Sequence, residues 1–457
     1  MKIPFAALIA VPLFAAAAGL GPAGAQSLED TLVKAYQNNP ALKAERARLR
    51  ATDEGVPQAL SSWRPTVSMS GSYGQAWRDS TNSQAGKTSD VTNPATASLT
   101  VTQNLYRGGR TEAAVEQAER NVEADRARLG ATEQTVLLGA ATAYANVVRD
   151  QAVLELNINN ERVLQRQLEA TGDRFSVGEL TRTDVSQAES RLALARATRI
   201  SAEGSLTDSR ANYENIVGER PPVLEAASPL TDLPATLEDA VSEARSGNFT
   251  VLAARFTESA ARSNVDLITG ELLPTLSVEG QVGTSHEATN RFSESDSASI
   301  IARVSVPLYA SGSVSSRVRE AKEVVAQRRD EYNQAIRDAI EGVTNAWQVL
   351  ETAQAQIRAF AAAVSSTRIA LDGVREEANV GSRTVLDVLD AEQEQLDAQV
   401  GLVRAQCDEL VATFQLRQAI GDLTAARLGL PVQLYDVEKH YREVRNKWWG
   451  LDTPDEQ

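Results

Sequence analysis

Thr66-Val67-Ser68-Met69-Ser70-Gly71-Ser72-Tyr73-Gly74-Gln75-Ala76-Trp77 alternates residue by residue. Val67, Met69, Tyr73 and Trp77 fall on one side; Thr66, Ser68, Ser70 and Ser72 fall on the other. Ala95 to Leu105 does the same, with Ala97, Leu99, Val101 and Leu105 set against Thr96, Ser98, Thr100, Thr102 and Asn104. Two later segments repeat the pattern. Leu276, Val278 and Val282 oppose Ser277, Glu279 and Gln281; Ile300, Ala302, Val304, Val306 and Leu308 oppose Ser299, Arg303 and Ser305. Each segment has about ten residues of period two, the length of a tilted membrane-crossing strand. One apolar and one small polar face suit a barrel with lipid outside and water inside. A half-buried soluble sheet alternates similarly, but Ser, Thr and Asn with an occasional charge suit a wet lumen better than a packed core. The segments Arg78 to Asn93 and Ser285 to Ser297 are expected as exposed hairpin loops.

Four strands cannot close on themselves, and an open edge in hydrocarbon leaves backbone groups without partners. About eight strands are the fewest that close. Two copies would reach that number with an interior filled by side chains. Three copies give twelve strands and a passage, so geometry favours a homotrimer.

Working outward, no proline occurs from Ala95 to Arg220 or from Leu308 to Leu430. Proline inside a helix costs about 3 kcal/mol or more, so such stretches admit long helices. Val115, Val122, Leu129, Val136 and Ala143 recur every seventh residue, with small Ala118, Thr132 and Gly139 between them. That period implies left-handed coiled packing. A helix from Thr111 to Thr171 would be roughly 90 Å long at 1.5 Å per residue, returning over Thr183 to Val217. The second pair is expected at Ser313 to Ala378 and Thr384 to Arg427. By themselves these helices also fit a soluble coiled coil.

The chain is written twice. Leu28-Glu29-Asp30 returns as Leu237-Glu238-Asp239, Pro65-Thr66 as Pro274-Thr275, Leu105-Tyr106 as Leu308-Tyr309 and Val177-Gly178 as Val380-Gly381. The offset is 209 before each hairpin of strands and 203 after it. The expected organisation is a signal peptide over 1–25 and a first repeat over 26–220, with a β-hairpin at about 66–106 and a helical hairpin at about 111–217. A proline-rich linker over 221–236 leads to a second repeat over 237–429, with hairpins at about 275–309 and 313–427, and a tail over 430–457.

Lys2, the apolar run from Ile3 to Leu20 and Ala23-Gly24-Ala25 have the order of a secretory signal and its cleavage site. No later apolar run reaches about 18 residues, so any membrane crossing must use strands. A formal charge of −15 argues against nucleic-acid binding. The lone Cys407 allows no internal disulfide and reads as helix packing rather than a nucleophile. The only histidines, His286 in a candidate loop and His440 in the tail, have no ligand spacing around them. Gly108-Gly109 lacks the spacing and lysine of a phosphate loop. No catalytic, metal or cofactor site is expected, and the chain is not expected to be an enzyme.

The duplicated plan, the strand-closing Leu105-Tyr106-Arg107-Gly108-Gly109 and two helix-turn segments together resemble the TolC family of outer-membrane efflux and secretion ducts. The turns read Arg174-Phe175-Ser176-Val177-Gly178-Glu179-Leu180-Thr181-Arg182-Thr183-Asp184-Val185 and Ala378-Asn379-Val380-Gly381-Ser382-Arg383-Thr384-Val385-Leu386-Asp387-Val388-Leu389-Asp390-Ala391. The tail, with Leu430-Pro431-Val432, Tyr435-Asp436, His440-Tyr441 and Lys447-Trp448, is similar to the type I secretion branch.

The resemblance implies a mixed α/β membrane protein: a trimeric 12-stranded β-barrel, four strands per chain, continued by a long α-helical coiled-coil tunnel in the periplasm. It implies a passive channel of a tripartite export system in the outer membrane of a Gram-negative-type bacterium. The expected partners are outer-membrane lipid, a periplasmic adaptor (membrane fusion) protein and an inner-membrane pump, ABC or proton-driven. Drugs and secreted proteins are both open as cargo. Val177, Gly178, Thr181, Val380, Gly381 and Ser382 would meet the adaptor, and Asp184 and Arg383 would latch neighbouring hairpins. Ala378 stands where the family often has tyrosine, so one latch bond is missing or replaced.

Independently of family, Asp387 and Asp390 share one helical face three residues apart. Under threefold symmetry they would form stacked carboxylate rings that favour cations. The competing reading is a pair of acids stabilised by the helix dipole. A periplasmic adaptor or coiled-coil scaffold is the alternative class; an adaptor normally carries one hairpin, and a scaffold needs no lumen-patterned strands.

Overall fold

The computed structural model describes residues 26–82 and 86–453. The expected signal peptide over 1–25 lies outside the described residues. α1 (Leu28–Asn38) and α2 (Pro40–Asp53) open the chain. Ser27 and Asp30 form a reciprocal capping box at α1, and Asn39 caps α2 with Pro40 at its first position. α3 (Gly55–Leu60) leads into β1 (Thr66–Tyr73); β2 (Ala76–Asn82), β3 (Gly86–Thr92) and β4 (Ala95–Tyr106) follow. Two helices, α4 (Arg110–Ser176) and α5 (Arg182–Val217), make the first long hairpin. The second half runs α6 (Leu237–Gly247), α7 (Phe249–Thr269), β5 (Thr275–His286), β6 (Glu294–Ser305), α8 (Ser313–Asn379) and α9 (Val385–Ile420), and α10 (Lys439–Val444) lies in the tail. No described helix is long and apolar enough to cross a membrane.

The four longer strands form one antiparallel sheet in the order β1-β4-β5-β6. The register aligns their faces. Met69 stands opposite Leu99, Leu99 opposite Val282 and Val282 opposite Ala298. On the other face Ser68 meets Thr100, Thr100 meets Gln281 and Gln281 meets Ser299. Ile301, opposite Glu279, is the apolar exception on the polar side. The two hairpins share one register: Thr66 opposite Thr102 becomes Thr275 opposite Ser305, displacements of 209 and 203.

The helices keep the order of the strands. α2 leads to β1, β4 into α4, α7 to β5, and β6 into α8, and the neighbouring pairs α2 with α4, α4 with α7 and α7 with α8 are all packed together. Below them α5 packs on α4, and α9 lies between α4 and α8. Thus β1, α2 and α5 occupy one flank and β6 with α8 the other. α4 buries 21 of its 67 residues, whereas α8, of equal length, buries only 8. The difference follows from position, since α8 has helical neighbours along one side only.

A main core joins α1, α2, α4, α9 and the tail through Leu32, Leu42, Leu137, Phe414 and Leu430. The tail is clamped there by polar contacts, one of them buried. His440 Nδ1 lies 3.0 Å from Asp53 Oδ2, and the Tyr435 N–H donates to the Tyr36 hydroxyl at 3.1 Å. Cys407 is buried in α9, and burial pushes its thiol up to about 11, as expected of a packing residue.

Several expected boundaries differ. The segment Arg78 to Asn93 is largely a two-stranded ribbon, β2 with β3, rather than a loop; Trp77 belongs to it, and its indole N–H donates to Ser89 Oγ at 3.0 Å. β5 runs on to His286, so that histidine is in a strand and the second loop is shorter than Ser285 to Ser297. β6 ends at Ser305, leaving Val306 and Leu308 outside, because Pro307 has no N–H to give a ladder. The last long helix stops at Ile420, not Arg427. Gly421 takes φ +99° there, and its N–H caps Arg417 and Gln418 carbonyls.

Candidate functional site

The two hairpin turns are built alike. α4 ends at Ser176; Gly178 takes φ +82°, and the Glu179 N–H closes on the Arg174 carbonyl at 2.9 Å. α8 ends at Asn379; Gly381 takes φ +80°, and the Ser382 N–H closes on the Glu377 carbonyl at 2.9 Å. Only glycine enters this left-handed region without strain. Each return helix then starts in a capping box. Thr181 Oγ1 accepts from the Asp184 N–H at 3.3 Å, while Asp184 Oδ2 accepts from the Thr181 N–H and hydroxyl, both at 2.8 Å. Thr384 and Asp387 repeat this at 3.2, 2.9 and 2.8 Å. Backbone N–H donation from Thr181, followed by its hydroxyl, holds the Asp184 carboxyl below the usual range; Thr384 does the same for Asp387. Val177 and Val380 are 71% and 80% exposed at the tips, and Gly178, Thr181, Gly381 and Ser382 are exposed beside them.

The structure places all four candidate gate residues at these ends but does not join them as a set. Asp184 is occupied by its own cap. Arg383 Nε donates to Glu377 Oε2 at 2.8 Å within its own hairpin, so within one chain the expected partners Asp184 and Arg383 are not bonded to each other. Asp390 pairs with Arg191 of α5, a partner the sequence reading missed. Beneath that pair Val385 and Leu389 of α9 pack on Leu164 of α4 and Ala188, Leu192 and Ala195 of α5. The second hairpin is therefore held to the first close to the turns by an apolar seam and an ion pair.

A sheet with one apolar and one polar face, continued by two equal helical hairpins, is the decisive geometry, and known proteins share it. The sequence pattern of the outer membrane efflux protein family matches residues 31–219 and again 240–422. The chain belongs to this family. The outer membrane efflux protein BepC of Brucella suis is 36% identical over 434 residues, covering 94% of this chain and 93% of that protein. The outer membrane protein TolC of Vibrio cholerae is 30% identical over 430 residues, covering 91% and 95%. The proteases secretion protein PrtF of Dickeya chrysanthemi is 27% identical over 88% of this chain and 90% of its own length. Among solved structures, the Campylobacter jejuni CmeC outer membrane channel matches with a TM-score of 0.78 at 16% identity, over 92% of this chain and 89% of that one. The Vibrio cholerae outer membrane protein VceC matches at 0.74 and 22%, over 86% and 96%. This member of the outer membrane efflux protein family is thus a TolC-like export channel of the outer membrane, not an adaptor.

Proposed function

We propose that three copies of this chain close one continuous tube through the outer membrane and into the periplasm. An inner-membrane pump supplies the energy, a periplasmic adaptor docks at the hairpin turns, and the tube conducts passively. The carrying observation is the four-stranded, two-faced sheet whose β1 and β6 edges are open. Edge N–H and C=O groups in hydrocarbon must find partners. Because the four strands alternate in direction, β6 of one copy meets β1 of the next antiparallel, and the underburied flank of α8 meets α2 and α5. Three copies give twelve strands. The repeats, over 26–220 and 237–429, supply a template for the joint, since β6 and β1 occupy the places of β4 and β5. The pair Thr102 opposite Glu279 then maps, through offsets of 203 and 209, to Ser305 opposite Ser70 of the neighbour.

Cysteines at Ser70 and Ser305, in a Cys407→Ser background, are expected to give covalent dimers and trimers on non-reducing gels, because facing strand residues lie within disulfide reach. Either single cysteine should give none. Monomer alone from the double variant, in membranes, would refute the joint.

At the turns, threefold symmetry gathers Asp387 and Asp390 into rings, but Arg191 stands beside Asp390. Two carboxylates less one guanidinium leave the aperture acidic by one charge per chain from these three groups. Arg191→Gln is therefore expected to strengthen cation preference and polycation block in single-channel recordings, and Asp387→Asn to weaken both. Unchanged selectivity in both variants would remove these residues from the aperture.

A further inference from the structure

Trp448, Trp449 and Leu451 are 64%, 87% and 101% exposed, although the tail carrying them is otherwise strapped down. Arg445 donates to Glu119 at 2.9 Å, and the Arg126 guanidinium lies 5.2 Å over the Tyr441 ring. A last strap fixes the height of the tail's end. Arg64 Nη1 donates to the Lys447 carbonyl at 2.6 Å, and its guanidinium lies 5.0 Å over the Trp448 ring. Arg64 is two residues before Thr66, the first residue of β1, so the tryptophans sit at the foot of the sheet. Lys447 Nζ reaches back to the Asp452 carbonyl at 2.7 Å, and Gly450 takes φ +116° between them. The chain there is a small closed loop with Trp449 and Leu451 on its outside.

An indole in plain water keeps its ring hydrated to no gain, whereas at a headgroup boundary the ring is covered and the N–H stays wet. We propose that the loop Lys447–Asp452 is an interfacial anchor that seats Trp449 and Leu451 among phospholipid headgroups at the periplasmic surface of the outer membrane. The proposal rests on the three-copy tube. α1, the linker and the tail share one apolar cluster against α4 and α9, and three such clusters turned into the tube would plug it. The cluster therefore lies outside, directly below the lipid that the apolar face of the sheet meets.

The test uses trimers reconstituted in phosphatidylcholine–phosphatidylglycerol vesicles, in a Cys407→Ser background. A nitroxide is placed at Trp449→Cys or Leu451→Cys, and a reference nitroxide at Met69→Cys on the apolar face of β1. Collision rates with oxygen, which concentrates in lipid, are compared with those of an aqueous nickel chelate. The tail labels are expected to shift toward oxygen relative to the same protein in detergent-free urea, and the Met69 label to shift further. Tail labels that collide freely with nickel, or that both reagents miss because protein covers them, overturn the anchor while a lipid-exposed Met69 leaves the tube standing. An aqueous Met69 label overturns the tube and the anchor together.

Discussion

Leu99→Arg is expected to abolish assembly into the membrane, while Thr100→Arg, one residue further on, assembles. Leu99 lies in the body of β4 between Met69 and Val282, on the face that is apolar across all four strands. An arginine on the lipid side at mid-depth costs about 2–4 kcal/mol per chain, and a closed tube meets that cost three times. Thr100 lies between Ser68 and Gln281 on the opposite face, where a guanidinium remains in water and Arg303 already occupies the same side opposite Ser277. Sucrose-gradient fractionation and the yield of detergent-resistant trimer measure both. Equal assembly of the two variants would mean that the alternation does not separate lipid from lumen.

Gly108→Ala is expected to lower the unfolding temperature of the assembled protein far more than Gly109→Ala. Both glycines have positive φ, +66° and +75°, and a side chain in that region costs about 1–3 kcal/mol. Only Gly108 is also enclosed. A methyl group there would lie 2.4 Å from the Gly270 carbonyl oxygen and 2.8 Å from Leu273 Cβ, while at Gly109 it meets open space. Overpacking adds about 1–3 kcal/mol. The crowded contact joins the exit of β4 to the entry of β5, where the sheet hands over to the helices. Equal shifts for the two variants, read by thermal unfolding, would show that the close approach is not needed.

The fold was legible where one physical rule acts along the chain. Period two set the faces of β1, β4, β5 and β6, seven-residue spacing and absent proline set the long helices, and glycine with threonine set the turns. It was not legible where one signal hid another. Trp77 continues the alternation of β1, so the break at Gly74-Gln75 and the ribbon beyond it passed unread. Leu423 and Leu428 prolong the apolar pattern of α9 past Gly421, which takes a left-handed conformation and has no room for a side chain beside the Gly247 backbone. Local residues mark the turns, but not their electrostatics. Arg191 is 199 residues from Asp390, and His440 is 387 from Asp53; no local pattern joins such pairs.

Both descending helices, α4 and α8, have 67 residues, and both returning ones, α5 and α9, have 36. At 1.5 Å per residue each descent is about 100 Å, so in the proposed three-copy tube six tips would finish at one level and form a flat rim. Removing a single heptad from α8 and another from α9 would raise every second tip by about 10 Å. A docking ring that seats on the rim would then touch three points instead of six. In the proposed tube, length changes would keep the rim level only in matched sets of four, one for each long helix.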